Sequence, residues 1–106
     1  MGKNEIDDII NTANENSMKF YNAVSNISKA YIRKKIYNAN INEIDDIITN
    51  CITDLYLYSL PKYKQSRGTK SAFCRKCLYN YVIKHGIRFQ KQKKRDEKVL
   101  RWLGGK

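Results

Sequence analysis

Apolar residues recur at helical spacing in four stretches of the chain. In residues 5–14, Ile6, Ile9, Ile10 and Ala13 form a short stripe, with Asp7 and Asp8 in a first turn whose dipole favours acids. Residues 18–37 place Phe20, Val24, Ile27 and Tyr31 on one side of a longer amphipathic helix. Asn38-Ala39-Asn40-Ile41 reads as a turn, after which Asn42 suits an N-cap, with Asp45 three residues on in a variant of the capping box. The third helix carries Ile44, Ile47, Ile48, Cys51 and Leu55 and runs to about Leu60, where Pro61 removes a donor and disfavours helical angles at Leu60. A polar loop follows, from Lys62 to Thr69. Thr69 or Ser71 caps a fourth helix bearing Phe73, Cys77 and Tyr81 on one line and Cys74, Leu78 and Val82 beside it. Gly86 weakens that helix by about 1 kcal/mol relative to Ala, so it is expected to end there or to continue to about Arg95. Residues 90–98 are almost wholly charged or Gln, and Val99, Leu100, Trp102 and Leu103 follow. The pattern predicts an all-α fold, a compact bundle of about four helices with a basic C-terminal tail. The expected division is a short helix over 1–16, a helical domain over 17–95 and a tail over 96–106.

Composition supports helices. One Pro and five Gly in 106 residues are too few for a turn-rich β sandwich, and 42% hydrophobic residues suffice for a core. The segment Asn4-Glu5-Ile6-Asp7-Asp8-Ile9-Ile10 recurs as Asn42-Glu43-Ile44-Asp45-Asp46-Ile47-Ile48 with unlike flanks, which reads as two helix starts built alike. No apolar run is long enough to span a membrane, and the N-terminus lacks the apolar stretch of a secretory signal. The three cysteines then read as reduced thiols, and the expected location is cytoplasmic.

Charge is segregated. Residues 1–60 hold six Lys/Arg and eight Asp/Glu, a net of −2, whereas residues 61–106 hold fifteen Lys/Arg and only Asp96 and Glu97, a net of +13. A solvated Lys surface does not require such segregation. One half is near neutral and suits protein contact, while the other faces a polyanion.

Candidate chemistry is sparse. The single histidine, His85, sits in a basic stretch and reads as a surface or partly buried residue. Asp45 and Asp46 are adjacent, point about 100° apart on a helix and cannot act together. Cys74-x-x-Cys77 has the spacing of half a zinc site, but no second pair follows and the motif lies within the apolar stripe. No glycine-rich phosphate loop is present. The chain is expected to be no enzyme and to hold neither metal nor cofactor.

Residues 43–95 resemble region 2 of bacterial sigma factors, the promoter-melting part of those transcription subunits. Asp45-Asp46-Ile47-Ile48-Thr49-Asn50 looks like the acidic-aliphatic start of the helix that docks on the clamp helices of the RNA polymerase β′ subunit. Lys62-Tyr63 followed by Ser66-Arg67-Gly68 looks like the Lys-Phe…Arg-Gly turn of that family. Phe73, Cys77 and Asn80, then Arg88 and the run Lys91 to Arg95, follow in the order of the extracytoplasmic-type factors. The helix over 18–37 corresponds to the first helix of region 2, so the resemblance covers residues 18–95.

The resemblance implies a sigma-like initiation factor that docks on the RNA polymerase core and melts −10 promoter DNA. Polymerase docking would fall to Glu43, Asp46, Asn50 and Asp54, expected opposite the apolar stripe of the third helix. Melting needs rings on which unpaired bases stack and cations that follow phosphates. Tyr63, Lys64, Arg67, Lys70, Phe73, Arg75, Lys76, Tyr79, Asn80, Lys84 and Arg88 interleave both, and Asn80 offers an amide to a base edge. Against this, Phe73 and Tyr81 also suit the core, whereas Tyr79 lies off the apolar stripe.

Lys76-Cys77 stands where primary sigma factors carry tandem Trp, and Thr49 where the docking motif has Gln, so recognition of a particular base does not carry over. No C-terminal helix-turn-helix is expected after the region of resemblance, so the expectation is a region 2-only factor, a split subunit, a phage-type factor or a fragment, with a second protein as a candidate source of upstream promoter contacts. The alternatives are a stand-alone helical DNA- or RNA-binding regulator, and a small adaptor whose Trp102 tail is either a docking peptide or packed back on the domain.

Overall fold

The computed structural model describes residues 3–36 and 39–105, with the side chains of Lys3, Asn4, Arg67 and Gly105 outside that description. The fold is all-α. Helix α1 spans Lys3–Thr12, α2 Met18–Lys35, α3 Ile41–Asp54 and α4 Lys70–Gly105. The second copy of the repeated segment opens α3, with Asn42 at its second position, and the first copy lies within α1.

Local chemistry sets the helix ends. The Ser17 hydroxyl accepts from the Phe20 N–H at 3.2 Å and starts α2. Helix α3 is capped by Asn40, not by the expected Asn42. The Asn40 side chain accepts from the Glu43 N–H at 2.8 Å, and Glu43 Oε1 accepts from the Asn40 N–H at 2.9 Å, closing a full capping box. Beyond Asp54 the chain passes into a π-helical turn, Leu55–Ser59, in which the Leu60 N–H donates to the Leu55 carbonyl. A 3₁₀ turn, Leu60–Lys62, carries Pro61 in its first positions, where a missing donor is harmless. A second, Gln65–Arg67, ends on Gly68 at φ +108°, a conformation that favours glycine. Thr69, and not Ser71, caps α4, its hydroxyl accepting from the Ala72 N–H at 3.2 Å. The Ser71 N–H donates to Asn11 Oδ1 of α1 at 2.9 Å.

Helix α4 runs along α2 and α3, and α1 closes against α2 and α4. Ile10, Phe20, Val24, Leu55, Cys51, Cys74, Leu78 and Val82 are fully buried in one core to which all four helices contribute. The Tyr56 hydroxyl donates to the Glu15 carbonyl at 2.6 Å, and its ring meets Phe20 edge-on. Tyr81 is half-buried and shares a 2.6 Å hydrogen bond with Ser59 of the π turn.

The fourth helix ends neither at Gly86 nor at Arg95. It continues through the expected tail for 36 residues, about 54 Å at 1.5 Å per residue, and so makes the long axis of a body measuring 59 × 27 × 21 Å. Residues 90–103 are rich in Gln, Lys, Arg and Leu, all good helix formers. Gln92 adds a side-chain bond to Asp96 at 2.9 Å. From Lys94 to Gly104 every side chain is exposed. The apolar end of the chain is thus not packed back on the domain.

Gly86 has a packing role instead. A Cβ there would lie 2.6 Å from Ile36 Cδ1 and 2.9 Å from Cγ1, so glycine lets α4 pass close to the end of α2. Gly86→Ala gains about 1 kcal/mol of helix propensity but overpacks a buried isoleucine, at a cost of about 1–3 kcal/mol. Sterics win, and urea denaturation is expected to show net destabilisation. Adding Ile36→Val, which removes the nearer clashing atom, should leave the double variant more stable than the two separate costs predict.

Candidate nucleic-acid interface

The cations of α4 fall into two sets. The first faces the bundle and is neutralised there. Lys70 pairs with Glu15 at 2.5 Å and lies 5.2 Å from the Phe20 ring centroid. Arg75 Nε donates to Asp7 Oδ1 at 2.7 Å, tying α4 to α1. Asp54 lies 2.7 Å from His85 Nε2 and 3.8 Å from Lys84 Nζ. Lys70 and Arg75, expected from sequence to contact nucleic acid, are thus each engaged by a carboxylate of the bundle. Lys84 is shared, since half of its side chain remains in solvent.

The second set is open to solvent, with Arg88 and Arg95 also lining the groove between α3 and α4. Lys76, Asn80, Lys84, Arg88, Lys91, Arg95 and Lys98 are all exposed. Their steps of three and four average close to the 3.6 residues of a helical turn, so they form one straight row. Phe73 heads the row and Trp102 is its next position beyond Lys98. Among the described residues, Lys76, Arg88, Lys91, Arg95 and Lys98 form no ion pair. Lys94 and Arg101 flank the row and are exposed too. The basic residues beyond Arg88 are not among the contacts expected from sequence. Their 4-3-4-3 spacing from Lys84 is the available signal, obscured by the expectation of an earlier helix end.

The aromatic residues divide in the same way. Phe73 is half-buried and packs on Tyr63, with ring centroids 5.1 Å apart. The Tyr63 hydroxyl donates to the Gly68 carbonyl at 2.7 Å and fixes the loop that carries exposed Lys64. Tyr79 is 37% exposed and lies on the α2 side, edge-on to Tyr31 at 5.4 Å with Lys35 Nζ 5.7 Å from its ring. The side chain of Arg67 lies outside the described residues.

The expected docking face is split. Asp46 and Asn50 are exposed on α3, but Glu43 is held by its capping box and lies 3.5 Å from Lys93, and Asp54 is held by His85. Glu43, Asp46 and Asn50 line one wall of a groove of about 790 Å³ whose other wall carries Arg88, Phe89 and Gln92. Glu43 and Asp54 turn toward α4 while Asp46 and Asn50 stay open to solvent at the groove, so the four do not form one outward face.

Cys51 and Cys74 are fully buried, and burial pushes both thiols up to about 12. Cys74 therefore does not offer a thiolate to pair with half-buried Cys77. Among the described residues no group of three or more His, Cys, Asp or Glu is placed to hold a metal, and no helix is long and apolar enough to cross a membrane. Comparison with protein-family models, curated proteins and solved structures finds no match.

The two raised thiols set an alkaline limit. Unfolded thiols ionise near 9.0 and the folded ones only near 12, so the unfolded chain binds fewer protons in that interval. The stability the buried thiols contribute is complete below pH 9 and falls as pH rises toward 12, by about 1.4 kcal/mol per pH unit for each thiol. Urea midpoints measured across this range should drop steeply, and Cys51→Ala should flatten the slope even though it lowers stability at neutral pH.

Proposed function

We propose that this chain is a sigma-like transcription initiation factor, which docks on RNA polymerase and holds an unpaired strand of −10 promoter DNA along α4. The observation that carries the reading is the straight exposed row from Lys76 to Lys98. It spans 22 residues, about 33 Å, close to one full turn of duplex DNA. A strand of a duplex winds away from a straight rod well within that length, whereas an unpaired strand can lie along it. Cations at nearly every turn follow its phosphates, Asn80 offers an amide to a base edge, and Phe73 stands at the head of the row. Asp46 and Asn50 remain exposed on the neighbouring helix for contact with the polymerase. The inward turn of Glu43 and Asp54 favours a second reading, a stand-alone nucleic-acid-binding regulator that needs no polymerase.

Purification with RNA polymerase core separates the two. For the initiation factor, the chain co-purifies with core, Asp46→Lys with Asn50→Lys abolishes this without unfolding, and sequence preference arises only with polymerase present. Undiminished co-purification would refute the docking role, and sequence-specific protection of duplex DNA by the chain alone would favour the stand-alone regulator. Replacing Arg88, Lys91 and Arg95 together by Gln should weaken single-strand binding and lower its salt slope by about 0.7 for each phosphate no longer neutralised.

A further inference from the structure

We infer that Trp102 is a stacking platform for an unpaired DNA base at the far end of the α4 row, an inference that rests on the single-strand reading above. The segment from Lys94 onward overhangs the bundle, with all its described side chains exposed through Gly104. Trp102 is the most exposed large apolar residue of the described chain, at 80%. Its position on the helix decides its partner. Lys98 precedes it by four residues, Arg95 by seven and Lys91 by eleven, so the indole continues the cationic row. Val99, Leu100 and Leu103 turn to the side that, nearer the bundle, faces the core.

An indole at the end of a file of cations matches two features of a nucleic-acid strand. Lys91, Arg95 and Lys98 meet successive phosphates while the ring meets a base face. The same cations disfavour a second copy of this chain, because residues 91–101 carry six Lys/Arg against Asp96 and Glu97, and pairing would bring like charges together. Phe73 and Trp102 then bracket the strand from two ends, about 44 Å apart along the helix.

Trp102 is the only tryptophan, so its emission reports on this position alone. The test uses the full chain with an oligo(dT) strand of about 20 nucleotides, long enough to cover the row, read by anisotropy of a dye on the strand and, separately, by indole emission. Binding is expected to quench the indole. Trp102→Ala should weaken binding by about 5- to 100-fold, the loss of one stacked base, and Trp102→Phe should restore most of it. Because the ring is exposed, the circular dichroism and melting of Trp102→Ala should match the parent. Binding with unchanged indole emission and unchanged affinity in Trp102→Ala would overturn the stacking role while leaving single-strand binding intact. No binding by the parent chain at low salt would overturn both. Quenching that appears without DNA as protein concentration rises, with a dimer in sedimentation, would assign the ring to a second copy and overturn the inference.

Discussion

A charge leaving water needs a partner, and this requirement sorts the cations of α4. Where α4 packs on the bundle, half-buried Arg75 meets Asp7 and Lys70 meets Glu15, while His85 shares a hydrogen bond with Asp54. Left unpaired, a group in such a place loses part of its hydration without compensation. The three contacts tie α4 to its neighbours in the same rotation that buries Cys74, Leu78 and Val82. That rotation places the remaining cations on the solvent side in a single row. The segregation of charge along the chain thus becomes a segregation between two sides of one helix. Several acids of the N-terminal half serve as counter-ions to it and are not free for a partner.

The fold is legible in the sequence where structure is dictated locally. The stripes of α1, α2 and α3 follow from apolar spacing, but the end of the third helix does not follow from Pro61: α3 gives way to a π turn after Asp54, and Leu60 keeps helical angles before the proline. The cap of α3 is harder to place because Asn40-x-x-Glu43 and Asn42-x-x-Asp45 are locally alike. Glutamate has the reach to return to the cap N–H, as Glu43 does at 2.9 Å, and the box at Asn40 prevails. The length of α4 is not legible, for a different reason. Residues 90–98 are polar on all sides and show no stripe, and the glycine before them resembles a stop. Gly86 is instead required by Ile36, a residue 50 positions earlier in the chain.

The candidate site divides along the same line. Lys76, Asn80 and Arg88 can be placed from sequence because their exposure depends only on their phase relative to Cys74, Leu78 and Val82. The pairing of Arg75 cannot, since Asp7 lies 68 residues away and nothing in the local pattern marks it. His85 and Asp54, 31 residues apart, are hidden in the same way. The extension of the row to Lys98 is written in the spacing and masked only by the apparent helix end at Gly86.

An overhanging helix of like charges raises the question of its own persistence. A free peptide of this length would be marginal, because the first turn is costly to nucleate. Here the nucleus is the part of α4 already packed on α2 and α3, so the overhang needs only propagation through good helix formers. Opposing this, Lys91 with Arg95, and Lys94 with Lys98, set like charges one turn apart, each pair costing about 0.2–0.5 kcal/mol. The Gln92–Asp96 bond relieves little of that repulsion. A polyanion laid along the row would remove it, so under the proposed function a bound strand would stiffen the helix that binds it. The straightness of the row and its affinity for phosphate would then be one property, set by how far the helix persists beyond the bridge from Lys93 to Glu43 of α3.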